Sequence, residues 1–70
     1  INVYPNPSSG GFYLSQLCDQ IEVFSQEGKL LFTKPKSDFI DLSSLVNGSY
    51  YLRLRNKYGI QQVPVFRISN

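Results

Sequence analysis

Turn-forming clusters recur along this chain at intervals so short that only brief apolar runs fit between them. The clusters are Pro5-Asn6-Pro7-Ser8-Ser9-Gly10-Gly11, Cys18-Asp19-Gln20, Gln26-Glu27-Gly28, Lys34-Pro35-Lys36-Ser37-Asp38, Val46-Asn47-Gly48 and Asn56-Lys57-Tyr58-Gly59. Gly, Pro, Asn, Asp and Ser dominate them, each residue type that favours a reversal of the chain. The runs between them cover residues 2–4, 12–17, 21–24, 29–33, 39–42, 49–55 and 60–68. About seven short strands joined by turns predict an all-β sandwich or a small barrel.

Alternation within the runs supports strands over helices. Tyr50, Leu52 and Leu54 share one face, and Tyr51, Arg53 and Arg55 the other. Ile21 and Val23 oppose Glu22 and Phe24, and Phe12 and Leu14 oppose Tyr13 and Ser15. Strand side chains change face at each residue, so one set enters the core while the other meets water. Arg53 and Arg55 are long enough to lie across the outer sheet surface. Asp41-Leu42-Ser43-Ser44-Leu45 is less strand-like. Its spaced leucines and capping Asp predict a single helical or 3₁₀ turn that packs Leu42 and Leu45 under one end of the sheets. Pro64 has no N–H to donate, which places the last strand at an edge or gives it a bulge.

Seventy residues make one domain, expected to span 1–70. A chain of this size buries only about 60% of its unfolded surface, but 41% hydrophobic residues with five Tyr and five Phe supply a core. The first residue is Ile1, not Met, so a fragment of something longer is expected. No apolar run is long enough to cross a bilayer as a helix, and no signal-peptide pattern is present; an exported parent would carry its first address label elsewhere. The net charge of +2 is too mild for a nucleic-acid partner. Cys18 is the only cysteine, so no intrachain disulfide forms.

The residue types that usually carry catalysis are scarce. There is no His, which removes the commonest general base and zinc ligand. Cys18 has no His to activate it, and a small buried hydrophobe is the simpler reading. A glycosidase-like pair would have to come from Asp19, Glu22, Glu27, Asp38 and Asp41, on a module with little room for a cleft. Gly10-Gly11 lacks the Lys and helix of a phosphate loop, and no calcium-loop spacing occurs. The chain is expected not to be an enzyme, and no cofactor, metal or small-molecule substrate is expected. Tyr13, Phe24, Tyr51 and Tyr58 remain: rings on the outer face or on turns either fill cross-strand pairs or stack on a sugar or a partner.

Three segments, taken in order, carry a family resemblance. The first is Val3-Tyr4-Pro5-Asn6-Pro7-Ser8-Ser9-Gly10, followed by Phe12-Tyr13-Leu14. The second is Ile21-Glu22-Val23-Phe24-Ser25-Gln26-Glu27-Gly28-Lys29-Leu30-Leu31. The third is Ile40-Asp41-Leu42-Ser43-Ser44-Leu45-Val46-Asn47-Gly48-Ser49-Tyr50-Tyr51-Leu52-Arg53-Leu54. In order and spacing they resemble the type A C-terminal sorting domains of the type IX secretion system of Bacteroidetes. The chain departs from that pattern at Ser25, where the family has Asp, at Val46, where it has Pro, and in a tail that is not rich in Lys.

The resemblance implies an immunoglobulin-like β-sandwich of about seven strands that directs a parent protein across the outer membrane and has no chemistry of its own. The implied partners are the type IX translocon and its outer-membrane shuttle protein, with a surface sortase-like peptidase in addition. Edge strands leave weak self-association open. The implied location is the periplasm in transit, then the cell surface or the medium. The residues expected to matter for recognition are Pro5, Asn6, Pro7, Gly10, Gly28, Lys29, Gly48, Tyr50, Arg53, Val65, Arg67 and Ile68, and the last strand, 61–68, is the expected open edge. Several of them, Pro5, Pro7, Gly10, Gly28, Gly48 and Tyr50, also have a purely structural reading. Pro5 and Pro7 stiffen the entry, Gly10 permits a sharp turn, Gly28 suits a positive-φ hairpin position, and Tyr50 suits a corner with its hydroxyl on backbone. The alternative is an accessory immunoglobulin-like or fibronectin-like module of a surface enzyme, acting as a spacer or a sugar binder.

Overall fold

A computed structural model describes residues 1–69. Every element is a strand: β1 (Val3–Tyr4), β2 (Gly11–Ser25), β3 (Leu30–Asp41), β4 (Gly48–Asn56) and β5 (Gly59–Arg67). All pairings are antiparallel, and the order β1-β2-β4-β5, with β3 on the other side of β2, makes one curled sheet. This is the all-β architecture that the turn spacing predicts, consistent with a small sandwich.

Five strands replace the expected seven because two turn signals lie inside strands. Cys18-Asp19-Gln20 is the middle of β2, and Lys34 to Asp38 the middle of β3. The two segments pair with each other, and the β2–β3 register shifts between Tyr13 and Cys18. A bulge of this kind bends a strand and lets it pass from one layer of a sandwich to the other. The inward set changes parity across the bend: Phe12 and Leu14 are buried before it, Ile21 and Val23 after it. One long hairpin thus does the work of four short strands. Pro35, in β3, falls on a strand that has β2 as its only strand neighbour, so its missing N–H is tolerated there.

The core follows the alternation. Phe12, Ile21, Val23, Ile40, Leu42, Leu52, Leu54 and Val65 are all but fully enclosed. Each such side chain contributes about 1.5–3 kcal/mol by leaving water. Residues 41–45 form one hydrogen-bonded turn and no helix. Leu45 N–H donates to Leu42 C=O at 3.0 Å, and Ser43 N–H donates to the Asp41 carboxylate at 2.9 Å. Leu42 is buried there and Leu45 packs against the core.

The N-terminal segment closes the curl. Val3 and Tyr4 pair with Leu14 and Tyr13 of β2, whereas Ser8 forms a parallel bridge to Arg67 at the end of β5. Between these pairings the chain crosses from one layer to the other through Pro5 and Pro7, each preceded by a cis peptide bond.

Candidate functional site

The site grows from the strand that must end the fold. Among the described residues, β5 has β4 as its only strand neighbour, as Pro64 predicts, so one row of its backbone groups faces away from the ladder. The expectation that this edge is open along 61–68 is corrected. Residues 6–8 lie along its C-terminal half. Ser8 N–H donates to Phe66 C=O at 3.0 Å, and Ile68 N–H donates to Ser8 C=O at 2.8 Å. The Asn6 side chain completes the seal: its Nδ2 donates to Pro64 C=O at 2.9 Å, and its Oδ1 accepts Phe66 N–H at 3.0 Å. An amide side chain has both a donor and an acceptor and so can stand in for a peptide group. Pro64 costs no ladder bond, because its nitrogen lies on the row that faces Asn6.

Gly10 and Ser8 hold this strap in place. Ser8, nearly buried, donates its hydroxyl to Gly11 C=O at 2.6 Å and accepts Gly10 N–H at 3.1 Å. Leu42 N–H donates to Gly10 C=O at 2.8 Å. A Cβ on Gly10 would lie 2.9 Å from the Ser43 Cβ. Gly10 is therefore needed for close approach of the crossover loop, and not for a positive φ.

A second set of bonds ties the same strand end to the loop before β4. Arg67 Nη1 donates to Asn47 Oδ1 and to Ser69 Oγ, and its Nη2 donates to Ser43 C=O at 3.2 Å. Asn47 Nδ2 donates to Ser69 C=O at 2.9 Å, so Asn47 and its neighbour Gly48 sit directly against the chain end. Tyr50, in β4, is buried, and its hydroxyl donates to Val46 C=O at 2.5 Å. The corner predicted for Tyr50 is present.

The expected recognition residues therefore divide. Pro5, Asn6, Pro7, Gly10, Gly48, Arg67 and Ile68 converge on the end of β5. Val65 is in the same strand, but its side chain is in the core with no exposed surface. Gly28 and Lys29 occupy the β2–β3 hairpin, where Gly28 adopts φ 91° and Ser25 N–H donates to Lys29 C=O at 2.8 Å. The hairpin tip and residues 44–50 line a shared concavity of about 520 Å³, with Leu31, Leu45 and Val46 in its wall. Arg53 is elsewhere, on the outer face, with its guanidinium bidentate to Glu22 at 2.8 and 3.0 Å and 4.8 Å from the Phe24 ring centre. Hydrogen bonding to Arg53 holds the Glu22 carboxyl below its ordinary range. Burial pushes the Cys18 thiol up, which keeps it protonated.

Sequence reasoning missed Ser8 and Asn47, each of which makes more of these contacts than Asn6. Each reads locally as an ordinary turn residue, and their partners are far away in the chain. The aromatic residues also sort by face. Tyr4, Tyr13 and Phe39 form a row across β1, β2 and β3, with ring centres 6.1 and 4.9 Å apart, and both tyrosines are about half exposed. Phe24 and Tyr51 are cross-strand partners on the outer face of β2 and β4. Among the described residues, no cluster of three or more His, Cys, Asp or Glu is placed to hold a metal.

Comparison with family models matches residues 2–65 to one described as the secretion system C-terminal sorting domain. No curated protein matches the chain.

Proposed function

The chain belongs to the type IX secretion system C-terminal sorting domains, and from that premise we propose that it is a folded address label whose recognised features are built around its last strand. Membership implies interaction with the type IX machinery and export through the outer membrane to the cell surface or the medium. The finer reading is ours. The domain ends a larger secreted polypeptide, waits folded with its cargo in the periplasm, and is handed to the translocon and its outer-membrane shuttle protein. A surface sortase-like peptidase then cuts upstream of it. The domain contributes no catalysis.

The observation that carries this reading is the convergence of the first family segment and the last strand on one place. Asn6 and Ser8 bind the end of β5, so a partner that touches 64–68 meets the Pro5-Asn6-Pro7 segment at the same time. The candidates Pro5, Asn6, Pro7, Arg67 and Ile68 make up that composite surface, and Gly10, Gly48, Tyr50 and Val65 support it from beneath. Gly28, Lys29 and Arg53 offer separate contacts. Removal of residues 61–70 from a reporter fusion tests the proposal: secretion should be lost, and full secretion of the truncated fusion in a type IX-competent cell would contradict it.

A second reading is favoured by the Tyr4–Tyr13–Phe39 row. Two half-exposed rings near 20° of parallel offer a sugar a stacking platform (the interplanar angle is 23°). Under this reading the chain is a carbohydrate-binding accessory module. Glycan binding that disappears with Tyr13→Ala would support it, and the absence of binding on a broad glycan array would count against it.

A further inference from the structure

Asn47 precedes Gly48, the only Asn-Gly pair in the sequence. Asparagine is a thermally labile residue. Its side-chain amide is open to attack by the nitrogen of the next peptide, and a glycine there has no side chain in the way. Asn6 lacks this route, because Pro7 has no N–H. Asn2 and Asn56 precede Val3 and Lys57, whose side chains crowd the approach. Asn47 is also exposed, so water and base reach it.

In the folded chain both reacting groups are tied to the same three residues, 67–69. Asn47 Oδ1 accepts Arg67 Nη1 and, at 3.2 Å each, the Ser69 N–H and hydroxyl. Asn47 Nδ2 donates to Ser69 C=O at 2.9 Å. Gly48 pairs with Arg67 in the β4–β5 ladder. Phe66 C=O and Ile68 N–H turn outward to Ser8, so the N–H and C=O of Arg67 turn inward. Gly48 N–H therefore donates to Arg67 C=O. While 67–69 is docked, neither the amide of Asn47 nor the nitrogen of Gly48 is free to react.

We infer that Asn47 is a site of spontaneous deamidation gated by the docking of residues 67–69. When that segment lifts, the Gly48 nitrogen loses its proton to solvent base and bonds to Asn47 Cγ. The Cγ–Nδ2 bond breaks, and the nitrogen takes up a proton and leaves as ammonia. Water then opens the cyclic imide at either carbonyl, giving aspartate or isoaspartate. One amide and one water become one carboxylic acid and one ammonia, and nothing is oxidised or reduced. The product does not restore the docked arrangement. A carboxylate at position 47 keeps Arg67 Nη1 as a partner but has no donor for Ser69 C=O. Isoaspartate also lengthens the main chain between Val46 and β4, where the Tyr50 hydroxyl meets Val46 C=O. Modification loosens this corner for good, and so records how long 67–69 has been undocked.

The test follows the purified chain in mildly alkaline buffer by peptide mass mapping, with methyltransferase labelling of isoaspartate. In denaturing urea Asn47 should react ahead of the other asparagines, and in the folded chain far more slowly. Arg67→Ala should speed the folded reaction about tenfold, the gain in open population expected from losing one or two hydrogen bonds. Gly28→Ala, a destabilising change at the distant hairpin, should leave the rate at its wild-type value. Thermal melting identifies a variant that fails to fold. If Arg67→Ala does so, Ser69→Ala, which removes one hydroxyl outside β5, decides by a gain of a few-fold. No modification of Asn47 in urea, or equal rates in the folded and unfolded chain, overturns the inference. A folded Arg67→Ala chain as slow as wild type overturns it as well. Equal acceleration by Gly28→Ala assigns the opening to global unfolding and overturns the gating by 67–69.

Discussion

Asn6 holds Phe66 across nearly the whole length of the chain: its Oδ1 accepts the Phe66 N–H at 3.0 Å while its Nδ2 donates to Pro64 C=O at 2.9 Å. One side chain therefore does for the edge of β5 what a neighbouring strand would do. Asn6→Ala should cost about 1–2 kcal/mol, the sum of two partly exposed hydrogen bonds. Urea denaturation measures it, and a midpoint unchanged from wild type would show that the strap is not held by this residue.

Gly10 and Gly28 are both glycines for different reasons, and substitution separates them. Gly10→Ala places a Cβ 2.9 Å from the Ser43 Cβ and 3.2 Å from its Cα. The crossover loop must shift, at about 1–3 kcal/mol. Gly28 has open space around it but φ +91°, so Gly28→Ala should cost about 1–2 kcal/mol through backbone strain alone. Ser43→Gly should recover part of the Gly10→Ala loss and none of the Gly28→Ala loss. Thermal melts of the single and double variants check this, and equal rescue of both would contradict the steric explanation.

Tyr50 combines a buried ring with a hydroxyl on the Val46 carbonyl. Tyr50→Phe keeps the ring and orphans the carbonyl, which should destabilise by about 0.5–1.5 kcal/mol. A loss confined to this range in chemical denaturation supports the corner, and a neutral result would show that water satisfies Val46 equally well.

Glu22 ties acid stability to the outer face. Its hydrogen bond to Arg53 lowers its folded pKa from an ordinary value of 4.5, with Arg55 3.7 Å away. A carboxylate lowered by folding stabilises above its unfolded pKa, and that contribution is lost as pH falls through the folded value. Stability should therefore fall as pH drops below about 4.5, and Glu22→Gln should flatten that fall. Melting temperatures between pH 7 and 2 check the sign; an unchanged slope in Glu22→Gln would remove Glu22 as a contributor.

Much of this fold is legible in the residues because local rules act locally. The alternation of Tyr50, Leu52 and Leu54 against Tyr51, Arg53 and Arg55 reads directly as an inner and an outer face, and Gly28 marks its hairpin. The strand count was less legible. Cys18-Asp19-Gln20 and Lys34-Pro35-Lys36 have turn composition, but they face each other, and ladder pairing across the bend outweighs the propensity of either alone. The strap was not legible at all. Nothing near Asn6 or Ser8 signals that their partners are Pro64, Phe66 and Ile68, because such bonds exist only once the sheet has curled. The family segments gave no indication that the first of them touches the last strand.

The most direct test of the central claim is secretion of a fluorescent reporter carrying this chain at its C-terminus, compared in a Bacteroidetes host with and without its type IX translocon. The sorting role predicts reporter outside the first strain and retained inside the second. Retention in both strains, with the domain folded, would contradict it.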